Sequence, residues 1–375
     1  MSQRWRNTTV GDLLRLEYGK PLSDAERIDD GRYPVYGANG VKGRTNRCYF
    51  KEPSIIVGRK GSAGELNLSD GAFWPLDVTY FVKLNAGVDL RFAWYLLTRL
   101  NLPTLAKGVK PGINRNEVYS IPVGVPDLRE QKRIVAILDK AFDGIATTEA
   151  NAENNLKSAY NAFECFRDGI FDADDQHGSK PLGDIASFRN GVNFTKSSKG
   201  KVVRIVGVKD FQNRFAVPTE GLDSVTIDGD VNSDDILQSK DLLTVRSNGN
   251  IQLIGRTMVA NNCPSNTLHS GFTIRTRLTV DFVSSQYVCH FMRCRGTRRR
   301  MVEGGTGTNI KSLNQGTLAS LRVPLPPADE QKRIAGRLDE FAQETERLGG
   351  VYRQKLLALE GLKKSLLHQA FSGNL

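Results

Sequence analysis

Between residues 138 and 170, apolar side chains return every seven positions. Leu138, Ile145, Ala152, Ala159 and Phe166 form one line, with Phe142, Leu156, Phe163 and Ile170 interleaved on a second. A seam of this period predicts a long helix packed on another helix. Only Glu149 interrupts it. A less regular seam follows near the end of the chain, with Leu338, Tyr352, Leu359 and Leu366 on one line and Phe341, Leu348 and Leu362 beside them. Its flaws are Thr345, Lys355 and the pair Gly349-Gly350, each glycine costing on the order of 1 kcal/mol relative to alanine inside a helix. An ordinary domain helix with one buried face would account for either stripe alone. Helices of about 45 residues are uncommon in compact domains, however, and at about 1.5 Å per residue each would reach roughly 65 Å. Two such helices with matching seams are expected to pair with each other.

Both predicted helices begin alike. Glu130-Gln131-Lys132-Arg133-Ile134 recurs as Glu330-Gln331-Lys332-Arg333-Ile334, and Pro126 and Pro326 precede the two copies. At the same offset Leu138-Asp139 matches Leu338-Asp339, Leu156 matches Leu356 and Phe171 matches Phe371. Proline ahead of the helix, and Asp127 three residues before Glu130, are entry signals. The regions before the helices repeat more weakly: Gly11-Asp12 answers Gly183-Asp184, "PSIIVGRKGSAG" answers "DLLTVRSNGNIQ", and "AKGVKPGINRNEV" answers "EGGTGTNIKSLNQ". Each has β-like runs ("SIIVGRK", "VTYFVKL"; "VVRIVGV", "DLLTVRS") and then a short helix candidate, "LRFAWYLLTRL" or "SSQYVCHFMRCR". The expected plan is α/β: two mixed α/β domains, residues 1–126 and 173–326, separated by two long antiparallel coiled-coil helices, residues 127–172 and 327–375. It is an internal duplication with pseudo-two-fold symmetry.

Composition narrows the partner. Lys and Arg number 52 against 41 Asp and Glu in 375 residues, a formal charge of +11 that favours a polyanion. Five cysteines without a C-x-x-C suit reduced thiols, hence a cytoplasmic chain. No apolar run is long enough for a membrane span.

Catalytic patterns that act on nucleic acid are missing. The sequence contains no phosphate-binding G-x-x-x-x-G-K-[ST], and no Asn/Asp/Ser-Pro-Pro-Tyr/Phe quartet of the kind that clamps a flipped base in amino-methyltransferases. Pro126-Asp127 with Glu130 and Lys132 imitates the pieces of a metal-dependent nuclease, but at a helix start the cap reading is simpler. Cys289, His290 and Cys294, with Cys263 and His269, match no common zinc spacing, and Cys289 falls within an apolar pattern. No metal or cofactor is expected on this chain.

What remains is a set of basic, glycine-punctuated turns. Arg59, Lys60 and Ser62 in the first domain, and Arg246, Asn248 and Asn250 in the second, hold matching places and carry side chains suited to base edges. Arginine reads guanine N7 and O6, and asparagine reads adenine N6 and N7. Lys107, Lys110 and Asn114, opposite Thr306, Asn309 and Lys311, form a second pair of loops better suited to phosphate. A solvated hairpin tip is the alternative for any one of them. Arg293, Arg295, Arg298, Arg299 and Arg300 form a basic block that either lines DNA or ends a helix in solvent.

Taken together, "VPDLREQKRIVAILD", "VPLPPADEQKRIAGRLD", "YPVYGANGVKG", "IIVGRKGSAG" and "FWPLDVTYFV" resemble the DNA-specificity subunit of type I restriction-modification systems, over essentially the whole chain. The resemblance implies a non-catalytic subunit whose two target recognition domains read an asymmetric, bipartite stretch of double-stranded DNA. It also implies that two modification (methyltransferase) subunits dock on the chain, that S-adenosylmethionine sits on those partners, and that restriction (translocase/nuclease) subunits join them. Two other classes fit parts of the pattern: a divergent or fused methyltransferase or nuclease with its own catalysis, and a basic coiled-coil structural protein.

Overall fold

The structure, a computed structural model, describes residues 5–172, 178–195, 197–212, 214–304 and 312–375. It divides into two compact units, residues 1–153 with 353–375 and residues 154–352. The division cuts across both long helices, so each unit holds one mixed α/β region and a part of each helix.

The first unit runs β1 (Arg6–Thr9), α1 (Val10–Leu13), β2 (Leu14–Tyr18), β3 (Tyr33–Gly37), β4 (Gly40–Thr45), β5 (Ser54–Gly58), β6 (Leu66–Ser69), β7 (Trp74–Pro75), β8 (Thr79–Leu84), α2 (Leu90–Arg99), α3 (Arg115–Tyr119) and β9 (Pro122–Val125), and then enters α4 (Leu128–Asp172). An antiparallel sheet of order β2-β8-β5-β6 carries the core. A second sheet, β4-β3-β7, pairs β3 antiparallel to β4 and parallel to β7, while β1 and β9 form a separate ribbon.

The second unit receives the end of α4 and continues through β10 (Ser179–Pro181), β11 (Ala186–Asn190), β12 (Val202–Val206), β13 (Asp223–Thr226), β14 (Leu242–Val245), β15 (Thr257–Val259), β16 (Thr267–His269), β17 (Thr273–Leu278), α5 (Ser285–Met292), α6 (Arg295–Glu303), α7 (Gln315–Ala319), β18 (Arg322–Pro324) and α8 (Ala328–Phe371). Its sheets repeat the first unit's plan as β11-β17-β14-β15, β13-β12-β16 and β10-β18, with the same strand directions. The duplication extends to close packing. A Cβ added at Gly11 would sit 3.0 Å from the Tyr119 Cβ, and one at Gly183 would sit 3.0 Å from the Ala319 Cβ, so the Gly-Asp repeat lets α1 and its counterpart turn lie against α3 and α7.

The repeated helix start has a buried purpose. Gln131 is 1% exposed: its Oε1 accepts from the Asp89 N–H (2.8 Å), and its Nε2 donates to the carbonyls of Gly87 (3.0 Å) and Pro126 (3.0 Å). Gln331 is 0% exposed and repeats the arrangement with the Ser284 N–H (2.9 Å) and the carbonyls of Phe282 (3.3 Å) and Pro326 (2.8 Å). Asp89 and Ser284 are the N-caps of α2 and α5, so one amide fastens the start of each long helix to the start of its unit's short helix. Five residues beyond each Ile, Asp139 accepts from the Tyr95 hydroxyl and Arg91, and Asp339 meets His290 Nε2 at 2.9 Å. Leu138 and Leu338 are fully buried in the two cores.

The far helix ends close the opposite cores. Phe371, at the end of α8, packs on Phe92 of the first unit (ring centroids 5.1 Å), and Phe171, at the end of α4, packs on Tyr287 of the second (5.1 Å). In the first unit the two helices run antiparallel, with Arg133 reaching the Leu375 carbonyl and Lys363 pairing with Glu149 at 2.6 Å. Glu149, the interruption in the first seam, is thus matched by a cation on the other helix. In the second unit Phe341 contacts Phe163 and Phe166 (5.7 and 5.2 Å), and Ala152, Ile145, Leu156, Leu348, Tyr352, Leu359 and Leu366 are buried or half-buried within their own units. Leu362 departs from the expected seam and is 45% exposed, because the inward positions of α8 there run Leu359, Lys363, Leu366 and Ala370 at alternating spacings of four and three. The helix is unbroken through Gly349-Gly350.

Two outcomes follow for stability. Gln131→Ala leaves one donor and two acceptors in the clamp without partners and should lower unfolding stability by roughly 2–4 kcal/mol, as should Gln331→Ala. Lys132→Ala, at an exposed neighbour, should change little, and equal effects of Gln131→Ala and Lys132→Ala in urea unfolding would disprove the clamp. The second outcome concerns His269, which is 1% exposed, bonds Thr273 Oγ1 through Nδ1 (2.9 Å) and is pushed down to about 4 by burial and by Arg275. Asp235 and Asp241 favour its protonation, though less than burial and Arg275 oppose it, and Arg189 opposes it more weakly still. The unfolded chain therefore binds this proton first, and up to about 3 kcal/mol of stability should disappear as pH falls from about 6.5 towards 4. His269→Gln should flatten that part of the pH-stability curve, and an unchanged slope would place its origin elsewhere.

Candidate nucleic-acid interface

The turn after β5 is built by backbone bonds that fix its exit. The Arg59 and Lys60 N–H groups both donate to the Val78 carbonyl (2.9 and 3.2 Å), and Ile113 N–H donates to the Arg59 carbonyl (3.1 Å). Gly64, at φ +84°, closes the loop by donating to the Gly58 carbonyl at 2.7 Å. Arg59 is half-buried: its Nε donates to the Asp77 carbonyl (3.0 Å) and its guanidinium lies 5.4 Å from the Tyr18 ring. Its terminal nitrogens carry no hydrogen bond to the described residues, which leaves the fork that reads guanine. Lys60 is exposed and Ser62 half-buried. Arg115 approaches the other side of this cluster, 5.0 Å from the Tyr18 ring. Tyr18 is 46% exposed and its ring lies tilted against that of Tyr80 (centroids 5.1 Å), whose hydroxyl burial pushes up to about 12.

The turn after β14 has the same frame. Arg246 and Ser247 N–H groups donate to the Phe272 carbonyl (2.8 and 3.4 Å), Leu313 N–H donates to the Arg246 carbonyl (2.9 Å), and Gly255, at φ +77°, closes the loop onto the Val245 carbonyl (2.9 Å). The two loops therefore hold equivalent places in duplicated sheets and differ in length and side chains. Arg246 is half-buried with no side-chain bond to the described residues, and Phe272 beside it is 60% exposed. The asparagines have local tasks. Asn248 Oδ1 accepts from Asn250 N–H (2.8 Å), and Asn250 Oδ1 accepts from Gln252 N–H (2.9 Å). Each carbonyl that a bidentate adenine contact would use already holds a backbone donor, because short amide side chains compete for nearby N–H groups in turns.

The second loop pair is only partly in view. Lys107 is tied to Glu117 (2.8 Å) and joins Gly112 in a two-way backbone bridge, so its charge is already paired. Lys110 is exposed near the tip, beside a fully exposed Val109. Asn114 caps α3, accepting from Asn116 N–H at 2.9 Å, as Asn314 caps α7. Thr306, Asn309 and Lys311 lie outside the described residues.

The remaining candidates have structural places. Asp127 Oδ1 caps α4 at the Glu130 N–H (2.9 Å), and Glu130 takes Arg133 in a two-bond pair (2.7 and 2.7 Å), as helix entry requires. Cys289 and Cys294 are buried, the latter donating to the His290 carbonyl, and burial pushes both thiols up to about 12. Among the described residues no cluster of three or more His, Cys, Asp or Glu side chains is arranged to hold a metal ion. Nor is any helix there long and apolar enough to cross a membrane. The basic block is split: Arg295 pairs with Asp168, Arg299 and Arg300 are exposed, and Arg293 and Arg298 are half-buried. Tyr18, Arg115 and Phe272 were not singled out from the sequence; nothing in their local pattern marks them, since pairings distant in sequence bring them to the loops.

Comparison with known proteins agrees with this frame. The family model for the type I restriction modification DNA specificity domain matches residues 2–158 and again 177–350. A chain named as a type I restriction enzyme specificity subunit in Haemophilus influenzae is 24% identical over 353 residues, spanning 86% of this chain and 83% of that one. Two solved chains share the fold. One, from a structure describing complex assembly and conformational transition of the type I R-M system, has a TM-score of 0.76 at 15% identity, covering 99% of this chain and 98% of the other. The other, the HsdS subunit from Thermoanaerobacter tengcongensis, has a TM-score of 0.54 at 17% identity, covering 99% and 97%. With the family's domain matched twice along one duplicated fold, the chain belongs to the type I restriction-modification DNA specificity family, as a recognition component rather than a catalyst.

Proposed function

We propose that the two α/β regions each read one half of a bipartite double-stranded DNA target, and that the paired helices hold the halves at a set separation while docking two modification subunits. The observation that carries this reading is the pair of loops after β5 and β14: one backbone frame, fixed by equivalent hydrogen bonds, presenting Arg59-Lys60-Gly61-Ser62 in one copy and Arg246-Ser247-Asn248-Gly249-Asn250 in the other. Equal frames with unequal side chains suit an asymmetric target. Arg59 and Arg246 are the base-reading candidates, with Lys60, Ser62 and the amide ends of Asn248 and Asn250 beside them, and Lys110 is placed for phosphate.

An internal duplication within one chain suits two copies of one partner. S-adenosylmethionine belongs in this reading to those modification subunits, and restriction subunits join the assembly in the cytoplasm, where the target DNA lies.

The test separates the two readers. In the complex assembled with modification subunits, Arg59→Ala should relax the bases read in one half-site and Arg246→Ala those in the other, each lost contact costing about 1–3 kcal/mol. Methylation mapped across a library of targets gives the readout. A change in one loop that relaxes both half-sites equally, or neither, would defeat the assignment.

A further inference from the structure

Behind the loop that follows β14, four arginines face one cavity of about 120 Å³: Arg167 of α4, Arg256, Arg293 at the end of α5, and Arg298 of α6. Arg167 is 4% exposed, and its Nε is buried with no hydrogen-bond partner. The other three bond mainly to neutral oxygens. Arg293 donates to the carbonyls of Arg214 (2.9 Å) and Thr257 (2.7 Å), Arg298 to Ile254 (3.1 Å) and Arg256 to Gln252 (3.3 Å). Carbonyls satisfy N–H groups but bring no negative charge.

Carboxylates do not make up the deficit. Asp168 lies 4.0 Å from Arg167 Nε but is held by the side chain and the backbone N–H of Arg295 (2.5 and 3.0 Å). Glu164 lines the cavity and favours the charge on Arg298, but it forms no ion pair among the described residues and brings one carboxylate against four guanidinium groups. Burial, reinforced by the neighbouring guanidinium groups, holds Arg293 and Arg298 below the usual arginine range. Partly desolvated like charges repel and call for a counter-charge.

The duplication shows that the fold does not require three of these arginines. Arg167 stands at the repeat position of Leu367, a core residue of the first unit. Arg256, whose carbonyl accepts from Val245 N–H, corresponds to Glu65, whose carbonyl accepts from Gly58 N–H. Arg298 lies on α6, where the first unit has only the short turn Leu102–Leu105. The first unit builds the same sheets with a leucine, a glutamate and a turn in these places.

We propose that this cavity in the second unit is a binding site for a phosphate group, carried by the DNA backbone or by a small phosphorylated molecule. Guanidinium clusters recognise phosphate oxygens through charge-assisted, often two-pronged hydrogen bonds. The proposal rests on the DNA-reading assignment for the first source only.

Two arms test it with the full chain. In the first, inorganic phosphate or pyrophosphate is titrated at constant ionic strength against chloride while the thermal midpoint is followed. A saturable rise is expected for the native chain, with none for Arg167→Leu or for the milder Arg256→Gln. Without phosphate, Arg167→Leu should be at least as stable as the native chain, because the repulsion is removed. In the second arm, target duplexes carry one neutral methylphosphonate at a time. If DNA supplies the phosphate, one position weakens native binding about tenfold and has no further effect in Arg256→Gln. A response in either arm that both variants abolish supports the site and names its source. No phosphate-specific rise together with no sensitive backbone position would overturn it. Should the DNA-reading assignment fail, the first arm still decides.

Discussion

The structure depends on two buried amides. Gln131 and Gln331 each join three backbone groups that would otherwise be orphaned where a sheet region gives way to a helix. Buried polar groups are costly unless every one is paired, so a side chain with one acceptor and two donors, set against one N–H and two carbonyls, specifies the junction geometry closely. Around this point the neighbouring repeat residues find their use. Glu130 and Glu330 hold the arginine three residues on, Leu138 and Leu338 enter the cores, and Asp139 and Asp339 reach the short helix of the same unit.

The same helices are needed at their other ends. Phe171 and Phe371 occupy equivalent places in the repeat, yet each seals the core beside the opposite copy's short helix. Neither α/β region completes its hydrophobic core from its own segment of sequence, since burying one such ring is worth roughly 1.5–3 kcal/mol. The loops proposed to read DNA, the sheets and the helices are therefore mechanically continuous within each unit. This is the physical basis for treating the helices as supports of the readers rather than as linkers.

Much of this was legible in the amino-acid pattern, and the reasons differ by element. The long helices announced themselves through seven-residue periodicity, the strands through runs such as Ser54–Gly58 and Leu242–Val245, and the duplication through identical helix starts. The role of Gln131 was hidden because a glutamine inside a charged pentapeptide looks solvated, and only the tertiary fold shows its partners. Leu362 misled because a fixed seven-residue count drifts on a helix whose inward positions alternate by three and four. Asn248 and Asn250 have the chemistry to read bases and Asn114 was placed in a loop suited to phosphate, but turn and cap bonds engage their oxygens, a competition that composition does not reveal. Arg167 drew no notice in the sequence because it stands beside a seam position, and only the tertiary fold brings it together with Arg256, Arg293 and, from the α6 helix, Arg298.

The central claim is that helices bearing two clamped readers set the distance between the half-sites. The most direct measurement is the affinity of the assembled complex for duplexes in which the gap between half-sites is varied one base pair at a time. It is then repeated after inserting four residues into both helices, after Ala152 and after Tyr352. Four helical residues add about 6 Å and roughly 40° beyond a full turn. Against about 3.4 Å per base pair, the account predicts one sharp optimum that lengthens by one or two pairs while the bases read stay the same. A flat gap profile, or an optimum unmoved by the insertion in a fully active complex, would contradict it.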